Sequence, residues 1–263
     1  MANEARKRIR KLLRKTERSA ARIMSAQDAA REHIVAEILN PRYTRGGGAS
    51  RTALYREIVS TYGKAARVMD GEMYGICREA AEAASNKAAT RTLYEIISPA
   101  NGENPAAAWA RNMSEATISA LRNEFIETAR EAAQKGMAKR YIQGLLRRRW
   151  NEAAMDAQNF QFVDRAGRHW NQDAYARMLT RTTAQRAYNE AVLDRLAADG
   201  QMYVRITSPG VPDCAICKQW NNLVVRITED GEGPVPTVAD ATEAGVFHPN
   251  CLCFLEAVDG APR

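Results

Sequence analysis

Two short runs near the C-terminus place the tightest limits on how this chain can fold. Cys214-Ala215-Ile216-Cys217 is a C-x-x-C run, and His248-Pro249-Asn250-Cys251 repeats the same spacing further along. Two residues between donors let one tight turn aim both side chains at a single ion, and two such turns facing one another complete a tetrahedron. Thiolate and imidazole donors with no carboxylate favour zinc over calcium or magnesium. Cys253 is a fifth candidate for four positions. On a strand it would lie on the same side as Cys251, so it could replace that residue or His248 as a ligand.

Other uses of these cysteines fit less well. A redox C-x-x-C belongs at a helix start in a βαβ context, which the order of elements here does not offer. The basic N-terminus lacks the apolar stretch of a secretory signal, so synthesis in a reducing cytosol is expected, where thiols and metal ligands outnumber disulfides. Cys77 stands alone, whereas Cys214, Cys217, Cys251 and Cys253 crowd into the end of the chain. A short terminal module has few apolar residues to bury, so a metal would contribute much of its folding free energy.

The long stretch before this module keeps helical spacing. Residues 4 to about 39 read as one amphipathic helix on Ile9, Leu12, Leu13, Ile23, Met24, Ile34, Ile38 and Leu39. Pro41 stops it, and Gly46-Gly47-Gly48 separates it from a second start at Ser50 or Thr52. That second stretch reaches about Ile97, in two pieces interrupted near Gly71. A loop over 98–105 follows. Helices resume near Pro105 with Asn112 or Ser114 as N-cap, break at Gly136, and include 143–150 with its Arg147-Arg148-Arg149 cluster. Another helix runs from about Gln172 to Ala198 and stops at Asp199-Gly200. Beyond it the period changes, and 202–207 and 223–227 read as short strands, with a loop over 230–234. The expected fold is mainly α, an elongated helical body with a small C-terminal β-containing zinc-knuckle module. Its expected divisions are a basic arm over 1–45, a helical body over 46–200 and a metal-binding module over 201–263.

Charge is concentrated at the start. Arg6, Lys7, Arg8, Arg10, Lys11, Arg14, Lys15, Arg18 and Arg22 face only Glu4 and Glu17, within a chain that carries 38 basic and 31 acidic residues. Such a helix suits an anionic partner, although its apolar stripe could equally dock a protein groove. The absence of interleaved aromatic residues points to sequence-independent contact with DNA phosphates. Arg147-Arg148-Arg149 reads more simply as a solvated face. No apolar run approaches the ~20 residues that cross a bilayer, so no membrane partner is expected.

Nothing singles out a catalytic group. Four protein ligands would leave a zinc ion no open position. The deaminase pattern, the P-loop, G-x-S-x-G and H-E-x-x-H are all absent from the sequence. A non-enzymatic protein is expected.

The run Gly167-Arg168-His169-Trp170, then Tyr175-Ala176-Arg177-Met178, Arg181-Thr182-Thr183 and Asn189, leads into the cysteine module, which continues Gly245-Val246-Phe247-His248-Pro249-Asn250-Cys251. Together these resemble the C-terminal half of tailed-phage minor capsid or head morphogenesis proteins, in particular the family called phage minor capsid protein 2, related to the Mu F-like group. The resemblance covers about residues 160–258. The family continues H-P-N-C with Arg and then His or Cys, whereas Leu252 and Cys253 follow here, which leaves the fourth ligand open. The resemblance implies a structural protein of the phage head, in multiple copies. It would contact the portal protein, the major capsid protein or both, along with packaged double-stranded DNA. Its place would be the virion, and the host cytoplasm during assembly. The alternative is a zinc-stabilised, sequence-independent DNA-binding protein outside any virion. Of the conspicuous side chains before the module, Trp170, Tyr175 and Met178 are expected to pack, and Arg177 and Arg181, four apart on one face, to pair with acids or an anionic partner.

Overall fold

The computed structural model describes residues 2–40, 42–43, 48–86, 94, 104–157, 162–163, 169–212, 214–228 and 235–258. Among them are seven helices and five short strands, a mainly α fold with a small C-terminal sheet. Helix α1 spans Ala2–Leu39. Its buried positions Ile9, Leu12, Thr16, Ala20, Ile23, Gln27, Ala30, Ile34 and Ile38 recur at intervals of three or four, one continuous stripe along the helix. It ends one residue short of the position before Pro41, where the proline ring disfavours helical geometry.

Helix α2 spans Gly48–Ala83, starting slightly earlier than the sequence suggested. It passes through Gly71 without a break. A glycine inside a helix costs about 1 kcal/mol, and the buried run of Met69, Met73, Ile76, Cys77 and Ala80 on either side outweighs that. The helix stops at Ala83 because Ser85 takes φ 62° and Asn86 N–H closes back on the Ala81 carbonyl at 2.8 Å. The expected continuation to Ile97 falls largely outside the described residues.

Helix α3 spans Pro105–Lys135 and is capped by Asn104, not by Asn112 or Ser114. Asn104 Oδ1 accepts from Ala106 N–H at 2.8 Å, and Pro105 fills the first helical position, where no N–H is needed. Ser114 sits inside the helix and donates to the Ala110 carbonyl. Gly136, at φ 60°, closes the helix as expected. Helix α4, Lys139–Ala157, packs back on α3: Trp150 Nε1 donates to the Leu121 carbonyl at 3.3 Å, and Arg149 reaches Glu131 at 2.6 Å. Arg147 and Arg148 are exposed.

Strands β1 (Phe162–Val163) and β2 (His169–Trp170) form an antiparallel pair that sequence spacing did not suggest. Helix α5 spans Gln172–Ala198 and ends at Gly200, φ 68°. Strands β3 (Tyr203–Thr207), β4 (Val224–Arg226) and β5 (Phe254–Ala257) make a sheet in the order β4-β3-β5, antiparallel throughout. Short helices α6 (Ala215–Trp220) and α7 (Val238–Glu243) lie in the connections. Helix α7 carries a full capping box, with Thr237 and Asp240 each satisfying the other's backbone N–H.

The chain divides into two compact units. One holds residues 22–70 and 103–175. Its core includes Tyr62, set edge-on to Trp109 at 5.6 Å, and the fully buried Trp150. The other holds residues 1–21, 71–102 and 176–263. Its core joins Ile9 and Leu12 of α1 and Ile76, Cys77 and Ala80 of α2 to Ala184, Ala187, Tyr188 and Ala191 of α5. Val204, Ile206, Val225, Phe254 and Leu255 of the sheet complete it, with Cys217, Cys251 and Cys253 among them. The alanines on α5 are small enough to let the sheet approach closely, and Tyr188 meets Phe254 edge-on at 5.4 Å.

Candidate metal centre and basic helix

Both ligand runs are set by local backbone rules. Cys214 is the N-cap of α6 and Cys217 lies in its first turn, so one helical turn points the two thiols the same way. The second run is a turn. Cys251 N–H bonds the His248 carbonyl at 2.9 Å, Pro249 supplies the fixed φ at the second position, and Asn250 takes φ 66° at the third. That is the arrangement of a type II turn, and asparagine tolerates the left-handed position better than most residues. Gly245, at φ 95°, turns the chain out of α7 into this run. A Cβ there would meet Ile216 Cδ1 at 3.3 Å, so the glycine also lets the two runs close on each other.

Donor atoms of Cys214, Cys217 and His248 all lie within 4.8 Å of one another, and so do those of Cys217, Cys251 and Cys253. Cys217 belongs to both groups. Its Sγ is 3.5 Å from His248 Nε2 and 3.5 Å from Cys251 Sγ. Tetrahedral coordination with bonds of about 2.3 Å to sulfur and about 2.0 Å to nitrogen separates a sulfur and a nitrogen ligand by about 3.5 Å and two sulfur ligands by about 3.8 Å. The cluster therefore has the spacing and donor chemistry to hold a metal ion.

The surroundings prepare the donors for that. His248 Nδ1 is 2.8 Å from the Pro249 carbonyl, which can only accept, so the proton sits on Nδ1 and Nε2 offers its lone pair toward Cys217. Burial opposes charge on His248, but the Pro249 carbonyl and the nearby sulfurs of Cys251 and Cys214 outweigh it and raise its pKa. The Cys253 thiol, hydrogen-bonded to Cys251, holds the Cys251 thiol down at about 5 despite burial, and the Cys253 backbone N–H adds a bond at 3.3 Å. Cys253 is driven upward in turn, first by that same bond and then by burial. Burial pushes Cys217 up to about 12, and the hydrogen bond to Cys251 adds to it. Cys214 is lowered, chiefly by the backbone N–H of Cys217. Without an ion the buried sulfurs compete for protons, and a divalent cation would replace that competition with attraction.

A face of α5 grips the second run. Thr182 Oγ1 accepts from Asn250 N–H at 3.2 Å, Gln185 Nε2 donates to the Cys253 carbonyl at 3.3 Å, and Asn189 Oδ1 accepts from Leu255 N–H at 2.9 Å. Spacings of three and four put the three side chains in a row. Sequence reading noted Thr182 and Asn189 only as parts of a motif and missed Gln185. The signal available was polar side chains interrupting the alanine-rich face of α5.

The basic residues of α1 are divided in use. Lys15 pairs with Glu79, Arg8 donates to Ser85 at 2.7 Å, and Arg10 donates to the Pro209 carbonyl at 3.1 Å. Lys7, Lys11, Arg14, Arg18 and Arg22 are exposed, and Arg6 is half-buried. Glu17 is held by Arg177 at 3.1 Å and by Arg181 at 2.7 Å, the pairing with an acid that their spacing suggested. Tyr175 and Met178 are buried, and Trp170 sits edge-on to Tyr175 at 6.4 Å. Gly167, Arg168 and the 230–234 loop lie outside the described residues.

A helix-backed three-stranded sheet has connections that converge on a cysteine and histidine cluster, a compact module with donors that could hold a metal ion. Residues 148–256 match the family model described as phage minor capsid protein 2, which bears out the resemblance read from the sequence. The match begins inside α4, earlier than the motif residues indicated, and takes in both ligand runs. No curated protein and no solved structure matches the chain.

Proposed function

We propose that this chain is a structural minor capsid protein of a tailed-phage head, acting by assembly and contact and not by catalysis. In this reading Cys214, Cys217, His248 and Cys251 hold one structural zinc ion, with Cys253 as the alternative fourth donor. The portal protein or the inner capsid surface is its protein partner, and packaged DNA lies against its basic helix. The observation that carries the reading is the coincidence of the family match over 148–256 with the cluster of donors inside it. Sulfur and imidazole donors support zinc over hard cations. The Cys253 backbone N–H directed at Cys251 Sγ supports Cys251 as ligand, because a coordinating thiolate is steadied by such a bond.

Native mass spectrometry of the full chain, alone and mixed with the portal protein from the same genome, tests this. One bound zinc that disappears in Cys214→Ser, together with a discrete portal complex, is the expected result. A metal-free chain that forms no complex with portal or capsid protein overturns it.

A further inference from the structure

We infer that one face of α1 is a phosphate-backbone binding surface for double-stranded DNA, formed by Lys7, Lys11, Arg14 and Arg18. Sequence alone supplied nine basic residues in this region, with no means of ranking them. In the folded protein Lys15, Arg8 and Arg10 are engaged by Glu79, Ser85 and the Pro209 carbonyl. Lys7, Lys11, Arg14 and Arg18 are exposed and have no partner among the described residues. Their steps of four, three and four residues keep them within one narrow strip, and at 1.5 Å per residue they cover about 16 Å of helix. Successive positions are about 4.5–6 Å apart along the axis, and over the strip's length one DNA strand presents about one phosphate per 3.4 Å, within reach of long, flexible side chains.

Two further features favour a polyanion over a protein groove. On α1 itself the only acid within the strip's length, Glu17, is occupied by Arg177 and Arg181, and of the two α2 acids that line a pocket with Lys11, Glu79 and Glu82, the first is paired with Lys15. No large apolar side chain is exposed on α1 among the described residues, so the strip lacks the buried anchor that protein interfaces use. Flexible lysine and arginine heads without aromatic neighbours bind phosphate without reading bases, which suits a protein that must accept any sequence. The inference deepens the head-protein reading and rests on it only for the presence of DNA; binding by the purified chain is a separate question.

The test is the salt dependence of binding by the full chain to a duplex of arbitrary sequence. Four neutralised phosphates contribute about −3.6 to the slope of log K against log salt. The variant Lys7→Gln/Lys11→Gln/Arg14→Gln/Arg18→Gln is expected to be shallower by that amount, and each single variant by about 0.9. Arg147→Gln/Arg148→Gln, which removes exposed charge from α4, should leave the slope unchanged. The singles keep the test decisive if the fourfold variant fails to fold. Absence of duplex binding at low salt, or an unchanged slope in folded variants, overturns the inference. So does a slope change that follows Arg147 and Arg148. A fourfold variant that keeps its DNA slope but loses the portal complex would assign the strip to protein instead. Bound metal and portal complex, measured on the same samples, show whether the head-protein reading fails separately.

Discussion

Asn189→Ala isolates the grip of α5 on the segment that carries Cys251 and Cys253. Strand β5 is an edge, bonded only to β3, so an amide on its outer side must find a partner elsewhere. Leu255 N–H finds Asn189 Oδ1 at 2.9 Å, with Leu255 fully buried and Asn189 7% exposed. Removing the acceptor leaves that donor buried and unpaired, a cost of about 1–3 kcal/mol. Expressed as an opening equilibrium, this is a loss of about 5- to 150-fold in protection of the Leu255 amide. Hydrogen exchange followed by NMR on the metal-loaded chain reads it directly. Asn189→Asp keeps an acceptor oxygen in place and should lose less than the alanine variant. Because Asn189 steadies the segment that carries Cys251 and Cys253, metal affinity in Asn189→Ala should also fall by about 10-fold. Native protection of the Leu255 amide in a folded Asn189→Ala protein would refute the reasoning, since the bond would then contribute nothing to holding β5.

Other expectations follow from the same structure. Cys217→Ser removes the donor shared by both groups and should abolish metal binding, whereas Cys253→Ser should retain one ion; zinc content by mass spectrometry decides between them. Chelation should expose the thiols of Cys217 and Cys251 to a maleimide reagent while leaving amide protection of Trp150 on α4 unchanged, because Trp150 belongs to the other compact unit. Gly245→Ala should destabilise the unit that holds the cysteine cluster by about 1–2 kcal/mol in denaturant titration, since φ 95° suits only glycine and the new Cβ presses on Ile216. Trp109→Ala should cost about 3–5 kcal/mol in the unit that contains it, because the ring is fully buried against Tyr62.

Local rules made much of this legible. The stop of helix α5 at Asp199-Gly200 and the paired spacing of the donors were both readable. Where prediction failed, a longer-range term had won or a short signal went unread. Gly71 did not break α2, because the apolar stripe on both sides is buried. Asn112 and Ser114 satisfied a cap pattern, but Asn104 with Pro105 supplied the better one. Helix α7 was announced by Thr237 and Asp240, a capping box too short to stand out from a loop. Strand β5 gave no alternation because Phe254, Leu255 and Glu256 are all buried. Gln185 had no readable role, since its partner, the Cys253 carbonyl, arrives from 68 residues away. The same holds for Glu17, which meets Arg181 across 164 residues and thereby changes the charge of the strip on α1.

These distances explain why a bound metal and α5 would act together. Helices α6 and α7 have six residues each, and β3, β4 and β5 have five, three and four. Helices this short are marginal alone, and so small a sheet needs a helix behind it. Hydrophobic packing on α5 fixes one side of the module through Tyr188, Phe254 and Leu255. The connections pack Trp220, Ile227, Val238 and Phe247 against the same core, and there the donors converge. An ion at Cys217 would tie α6 to the 248–251 turn, while Thr182, Gln185 and Asn189 tie that turn and β5 to α5. Each restraint shortens the loop the other must close, so losing either raises the entropic cost of keeping the other. A module held in this way keeps its shape on short elements.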